Sequence, residues 1–388
     1  MMENDDLLHD YRSWYSSTRR TGAVHELRGH RSPVNAVIAF GGPPPEDAAV
    51  FGPWVLQAPQ LISASDDCTV KVWDAATGAC MHTCSGHTAR VVCLADIRGR
   101  HRVCVSGSYD WTLRSWDAAG GTCVAVMRGH DGEINEVAAA GAGKVVSASD
   151  DGTLKVWDAG AGLCLHTLGD HGDYLVSVAQ LCHSSVYVCA GYHMAAMTVW
   201  DRRDDDGNRW WVGDAGEGGT EGWQADKVVA IDGHMVLASA QETPSWYLTG
   251  RCRLRIWDVL YGYVGHIDCS GAEVALSSPE PGCALVACTH WAQPHTPVGG
   301  RLEVWDVHEQ ALLFAADTGA RVPRGAAALG GGLVVACGDW EGGGLAVWSL
   351  ATPRQEVAAR QISRHWRRAI SDPQRALCRK VLARIYSQ

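Results

Sequence analysis

The chain contains no run of 18 or more apolar residues, so no segment reads as a membrane-spanning helix. Its opening residues, MMENDDLLHD, are acidic where a secretory signal would be basic, so secretion is not expected. Charge is sparse as well: Asp, Glu, Lys and Arg together make up 20% of the 388 residues, with a net charge of −10. None of the 15 cysteines forms a CxxC pair, and pairs such as Cys80/Cys84 and Cys283/Cys288 lack histidines at zinc spacing. No metal site is therefore expected. Cys93, Cys104, Cys189 and Cys337 fall in strand-like apolar runs and read as small buried hydrophobes in a reducing compartment, which makes the expected location intracellular, cytoplasmic and/or nuclear. GxSxG, Walker and HExxH motifs are missing too, so neither catalysis nor a cofactor is expected.

What the chain does have is a repeat. Trp73, Trp116, Trp157, Trp200, Trp257, Trp305 and Trp348 are separated by 43, 41, 43, 57, 48 and 43 residues, and six of them are followed by Asp. A period of this length holds four short antiparallel strands and their turns, which is one blade of a β-propeller. The 44 glycines suit many strands joined by tight turns. Three copies read SASDDCTVKVWD (63–74), SGSYDWTLRSWD (106–117) and SASDDGTLKVWD (147–158), each an alternating apolar strand entered through a polar turn. Trp73, Trp116 and Trp157 are each followed 14 residues later by a histidine, and Gly29-His30 begins the same series.

These motifs resemble the WD-repeat family over residues 21–350. The resemblance implies an all-β, seven-bladed propeller in which a Gly-His histidine, a strand serine, a turn Asp and the Trp indole form a hydrogen-bonded chain inside a blade. The matching residues are His30, Asp67 and Trp73; His87, Asp110 and Trp116; and His130, Asp151 and Trp157. Either serine of each SxS pair, Ser63 or Ser65 in the first copy, fits the fourth place. Six residues before the later tryptophans stand Met194, Arg251, Gly299 and Gly342, so blades four to seven are expected to hold together mainly by apolar packing. Gly265-His266 lies nine residues after Trp257, inside the expected outer strand, and is read as outside the series. TGAVHELRGH (21–30) has no Trp before it and is expected to supply the outer strand of the blade ending at Trp348, which removes an open sheet edge.

The expected organisation is an N-terminal extension (1–20), the propeller (21–350) and a basic amphipathic helical tail (351–388). From Pro353 the tail carries a net charge of +7, leaving −17 on the other 352 residues. Segments 241–252 and 289–300 read as long loops on one face. They bring Trp246, Tyr247, His290 and Trp291 near Trp340 as candidate partner-binding aromatics. Arg367 and Arg368 are candidates in the tail.

The expected function is a non-catalytic scaffold that binds proteins or peptides on the propeller faces. One alternative is a substrate receptor of a cullin-type ubiquitin ligase, because WDRR (200–203) matches the W-D-x-R ending of the motif that docks on such a ligase's adaptor. A second is an RNA- or chromatin-associated adaptor. Because an acidic propeller repels phosphate backbones, nucleic-acid contact is expected only through the tail.

Overall fold

The computed structural model describes residues 25–40, 60–75, 77–97, 103–141, 143–169, 173–181, 186–191, 197–201, 208–212, 223–242, 253–269, 273–278, 283–293, 296–319, 324–330, 333–337 and 345–349. Every element among them is a strand. The first sheet contains β2 (Val34–Phe40), β3 (Gln60–Ser65), β4 (Thr69–Asp74) and β5 (Cys80–Ser85). The second contains β6 (Val91–Ile97), β7 (Val103–Ser108), β8 (Leu113–Asp117) and β9 (Thr122–Met127). The third contains β10 (Ile134–Ala139), β11 (Lys144–Ser149), β12 (Leu154–Asp158) and β13 (Leu163–Leu168). The fourth contains β14 (Leu175–Gln180), β15 (Val186–Gly191), β16 (Met197–Asp201) and β17 (Asn208–Val212). The fifth contains β18 (Trp223–Ala230), β19 (Met235–Glu242), β20 (Arg253–Asp258) and β21 (Gly262–Asp268). The sixth contains β22 (Glu273–Ser277), β23 (Cys283–Gln293), β24 (Thr296–Asp306) and β25 (Ala311–Gly319). The last contains β26 (Gly325–Gly330), β27 (Leu333–Cys337) and β28 (Leu345–Ser349), and β1 (His25–Leu27) completes it.

Each sheet is four-stranded and antiparallel, in the order inner to outer, giving seven sheets. Neighbouring sheets touch through their inner strands in the cycle β2, β6, β10, β14, β18, β22, β26 and back to β2, which closes a β-propeller. Closure is made by β1: His25, Glu26 and Leu27 pair with Val347, Ala346 and Leu345 of β28. Without β1 the last sheet would present an open strand edge.

Burial follows position in the blade. The second strand, QLISAS in the first sheet, is buried throughout because sheets cover both its faces. The third, TVKVWD, alternates, and the outer strand CMHTCS is mostly exposed. The tryptophans fill the junctions between sheets. Trp73 packs with Leu27 and Leu345 of the closing sheet, Trp116 with Ile62 and Val72 of the first, and Trp157 with Val105 and Leu113 of the second. The junction of the sixth and last sheets is built from smaller residues, Leu285, Ala287, Leu302, Ala326 and Ala346. The Asp that follows Trp116, Trp157 and Trp305 caps the turn to the outer strand: Asp117 Oδ1 accepts from Ala119 N, Asp158 Oδ1 from Gly160 N and Ala161 N, and Asp306 Oδ1 from His308 N and Glu309 N.

Two sequence expectations change. Segment 289–300 is not a loop, because β23 and β24 run on to Gln293 and from Thr296, pairing His290 with Gly299 and Trp291 with Pro297. The insertion is an extended hairpin. Pro297 lies where β24 is still an edge, because its second partner, β25, joins only from Gly300 onward, and edge positions tolerate proline. Blade six also has a buried acid that the Asp-before-Trp pattern does not reveal: Glu303 is 2% exposed and accepts the Trp305 indole N–H at 3.0 Å. Apolar packing alone therefore does not account for that blade. His266 lies in β21, opposite Arg255, as its spacing implied. The expected extension and helical tail, together with Met194, Arg251 and Gly342, lie outside the described residues.

Candidate interaction surface

In each of the first three blades the turn between the second and third strands is clamped from below. His30 Nδ1 lies 2.8 Å from Asp67 Oδ2 and its Nε2 2.8 Å from Ser63 Oγ, which accepts the Trp73 indole N–H at 2.8 Å. His87, Asp110, Ser106 and Trp116 repeat this arrangement, as do His130, Asp151, Ser147 and Trp157. The network assigns the histidine proton. Because the serine oxygen takes the indole N–H, its hydroxyl donates to Nε2, and Nδ1 carries the proton given to Asp. The first serine of each SxS pair thus belongs to the chain, which sequence left open. The second binds the turn backbone: Ser65 Oγ donates to Pro33 O and accepts from Asp67 N.

Each turn Asp accepts four hydrogen bonds. Asp110 takes His87 Nδ1–H and Thr88 N–H on one oxygen, and the Thr112 amide and hydroxyl on the other. Burial pushes the Asp110 carboxyl up, but the bonds from His87, Thr112 and Thr88 outweigh it and hold the group well below the usual carboxylate range. Asp151 behaves in the same way, and Asp67 is also lowered. Burial pulls His30 below the ordinary imidazole value despite Asp67 beside it, so it stays neutral. A fully engaged histidine between a carboxylate and a serine acts here as a brace, since the serine hydroxyl that a nucleophile would present is wholly buried.

What the braces hold up is the surface. After each turn Asp comes a residue with positive φ: Cys68 at 65°, Trp111 at 67° and Gly152 at 75°. This left-handed conformation suits glycine and is costly for a large side chain. Trp111 nevertheless occupies it and is 52% exposed. Tyr109, two residues earlier, replaces the acid found as Asp66 and Asp150 in the sister turns, where those carboxylates accept from Asn35 and Asn135. Burial pushes the Tyr109 hydroxyl up, and Glu133 and Asp150 add to the effect. On the same face, just before β14, Tyr174 is 54% exposed. The described part of this face therefore carries exposed aromatic rings among carboxylates.

Trp111 was missed by the sequence reading, although its signal was present. Aligning the three turns puts it in the slot of Cys68 and Gly152, where no side chain can enter the blade. The aromatics chosen from sequence fare differently. Trp246, Tyr247, Trp340, Arg367 and Arg368 lie outside the described residues, and His290 and Trp291 are placed only through their backbone in β23.

A second missed feature lies at the ring's centre. Glu136 of β10 and Lys227 of β18 form an ion pair that skips the intervening inner strand. Each follows a bulge in its inner strand, the irregularity that turns the side chain inward. Burial pulls the Lys227 ammonium down to about 8, against an opposing contribution from Cys93, although a third of the side chain is still exposed. Cys93, at the matching position of β6, is pushed up to about 12 by burial.

The fold and the braced turns define a β-propeller. Over its first three blades, residues 22–74, 78–117 and 121–158 match the WD domain, G-beta repeat family. The chain is also similar to the WD repeat-containing protein pop1 of Schizosaccharomyces pombe, with 33% identity over 89 residues. That stretch covers 23% of this chain and 9% of that protein. Among the described residues no helix is long and apolar enough to cross a membrane.

Proposed function

We propose that this propeller is a non-catalytic platform that holds a protein partner on the face formed by the braced turns, with Trp111 as an anchor. The observation that carries this reading is a large indole kept in a strained backbone conformation, half exposed, on a turn fixed by the four hydrogen bonds to Asp110. A rigid exposed aromatic contributes much contact area at small entropic cost. Asp66, Glu133 and Asp150 near Tyr109 favour a partner segment carrying arginine or lysine, whose cations stack on indole. The match to WD repeats over the first three blades supports a scaffolding role in general.

Affinity purification with mass spectrometry, comparing the wild type with Trp111→Gly, tests the reading. A protein recovered with the wild type and depleted with the variant, at unchanged melting temperature, is the expected result; identical recovery overturns it. Cullin components among the depleted proteins would narrow the platform to a ligase receptor, and ribonuclease-sensitive recovery would narrow it to an RNA-associated adaptor.

A further inference from the structure

In blade six the brace is replaced by different chemistry. Cys269 stands four residues before β22, as His30, His87 and His130 stand four before β2, β6 and β10. Cys288 occupies the strand position of the second serine, the place of Ser65, by its register relative to Trp305. Val286 fills the place of Ser63, so a histidine–serine–indole chain cannot form. Instead Glu303, on the third strand, projects into the same space, and its carboxylate oxygen and the sulfurs of Cys269 and Cys288 all lie within 4.8 Å of one another. All three residues are buried, and neither cysteine is in a disulfide.

We propose that Cys269, Cys288 and Glu303 bind a divalent cation of the zinc class. Two thiolates and a carboxylate are a ligand set that zinc accepts, and three protein ligands leave one position for a water. Charge supports the assignment. Two thiolates and one carboxylate exceed the charge of zinc by one, and the Arg301 guanidinium, 3.4 Å from Glu303 Oε1, supplies the balancing positive charge. The other oxygen of Glu303 accepts the Trp305 indole N–H. Donors of this kind orient a ligating carboxylate and leave it lone pairs for the metal. The ligands come from the connection after β21, from β23 and from β24, so the ion ties together segments that the histidine brace ties together in the early blades. Sequence spacing hid the set, because its members lie 19 and 15 residues apart with no short motif.

Cobalt(II) titration of the reduced full-length protein tests the site. The expected result is one equivalent bound with a near-ultraviolet thiolate-to-cobalt band, displaced by zinc. The band should be lost in the Cys269→Ser/Cys288→Ser variant, and zinc affinity should fall about ten- to a hundredfold in Arg301→Gln. Zinc should also protect Cys269 and Cys288 of the wild type from alkylation, a readout that holds even where the double variant does not fold. Three outcomes overturn the proposal: no thiolate band in the wild type, a band unchanged in the double variant, or alkylation of both cysteines that is insensitive to zinc.

Discussion

Replacing Asp110 with alanine removes the acceptor of four hydrogen bonds in blade two, and the structure sets the size of the effect. The Thr88 amide belongs to an exposed residue and finds water after the change, and the Thr112 hydroxyl can rotate. The Thr112 amide and the His87 Nδ1–H are left behind in buried residues. Stranding a buried donor costs about 1–3 kcal/mol, so the two together destabilise the blade by about 2–4 kcal/mol after partial relaxation. His87 has one escape, transfer of its proton to Nε2. That change forces Ser106 to turn its hydroxyl to the Arg114 carbonyl, 3.4 Å away, a long and weak bond. Asp110→Asn is consequently expected to be intermediate, since it retains an oxygen for Thr112 while presenting an N–H to His87. Urea denaturation followed by tryptophan fluorescence and by circular dichroism measures the loss. Asp66→Ala serves as a control, because Asp66 lies outside the brace and should cost less than about 1 kcal/mol. If Asp110→Ala matched the wild type within about 0.5 kcal/mol, the braced-turn account of blade two would be refuted.

Acidification should lower stability in two stages. Below pH of about 6.5 the unfolded chain takes up a proton at His30 that the folded chain resists, and below about 4 the unfolded carboxyls of Asp67, Asp110 and Asp151 protonate while the folded ones stay charged. Urea midpoints measured from pH 8 to pH 3 should therefore hold steady and then fall, and a flat profile down to pH 3.5 would contradict the direction of these shifts. Gly107→Ala should cost about 1–3 kcal/mol, because a methyl there would lie 2.6 Å from Cys93 Sγ and 2.8 Å from Ile134 Cγ2; wild-type stability in a melt would show that this junction can yield. Removing residues 1–27 takes away β1 and bares β28, so the truncated chain should associate at micromolar concentration in light scattering, where a monodisperse monomer would argue against closure by β1.

The early blades were legible because their information is local in type. A Trp that must fill a junction, an Asp that must cap its turn and a histidine at fixed distance each leave a residue at a fixed spacing. The closing strand was legible for the same reason, since residues 25–27 carry an outer-strand pattern that has no Trp before it. Pairings between different blades were not legible. Glu136 and Lys227 lie 91 residues apart and meet only because the ring brings two bulged inner strands to one axis. Glu303 was hidden because it replaces the turn Asp from another strand, at a position where Trp73 and Trp157 are preceded by the lysines Lys71 and Lys155. The hairpin of β23 and β24 was misread because Gly299, Gly300 and Pro297 suggest a loop, whereas pairing across the hairpin satisfies the backbone on one side and Pro297 falls where β24 has no second partner. Trp111 stood in plain view within SGSYDWTLRSWD, but recognising it required the turn conformation that makes its slot a surface position.

The central claim is that the braced turn of blade two presents Trp111 to a protein partner. A photo-crosslinking amino acid at position 111, activated in cells, tests it most directly, with the same residue at Tyr261 as a comparison, because Tyr261 is 82% exposed but lies beside the outer strand β21. The account predicts a discrete crosslinked protein from position 111 that is weaker or missing from position 261. Crosslinks confined to position 261, or none from position 111, would contradict it.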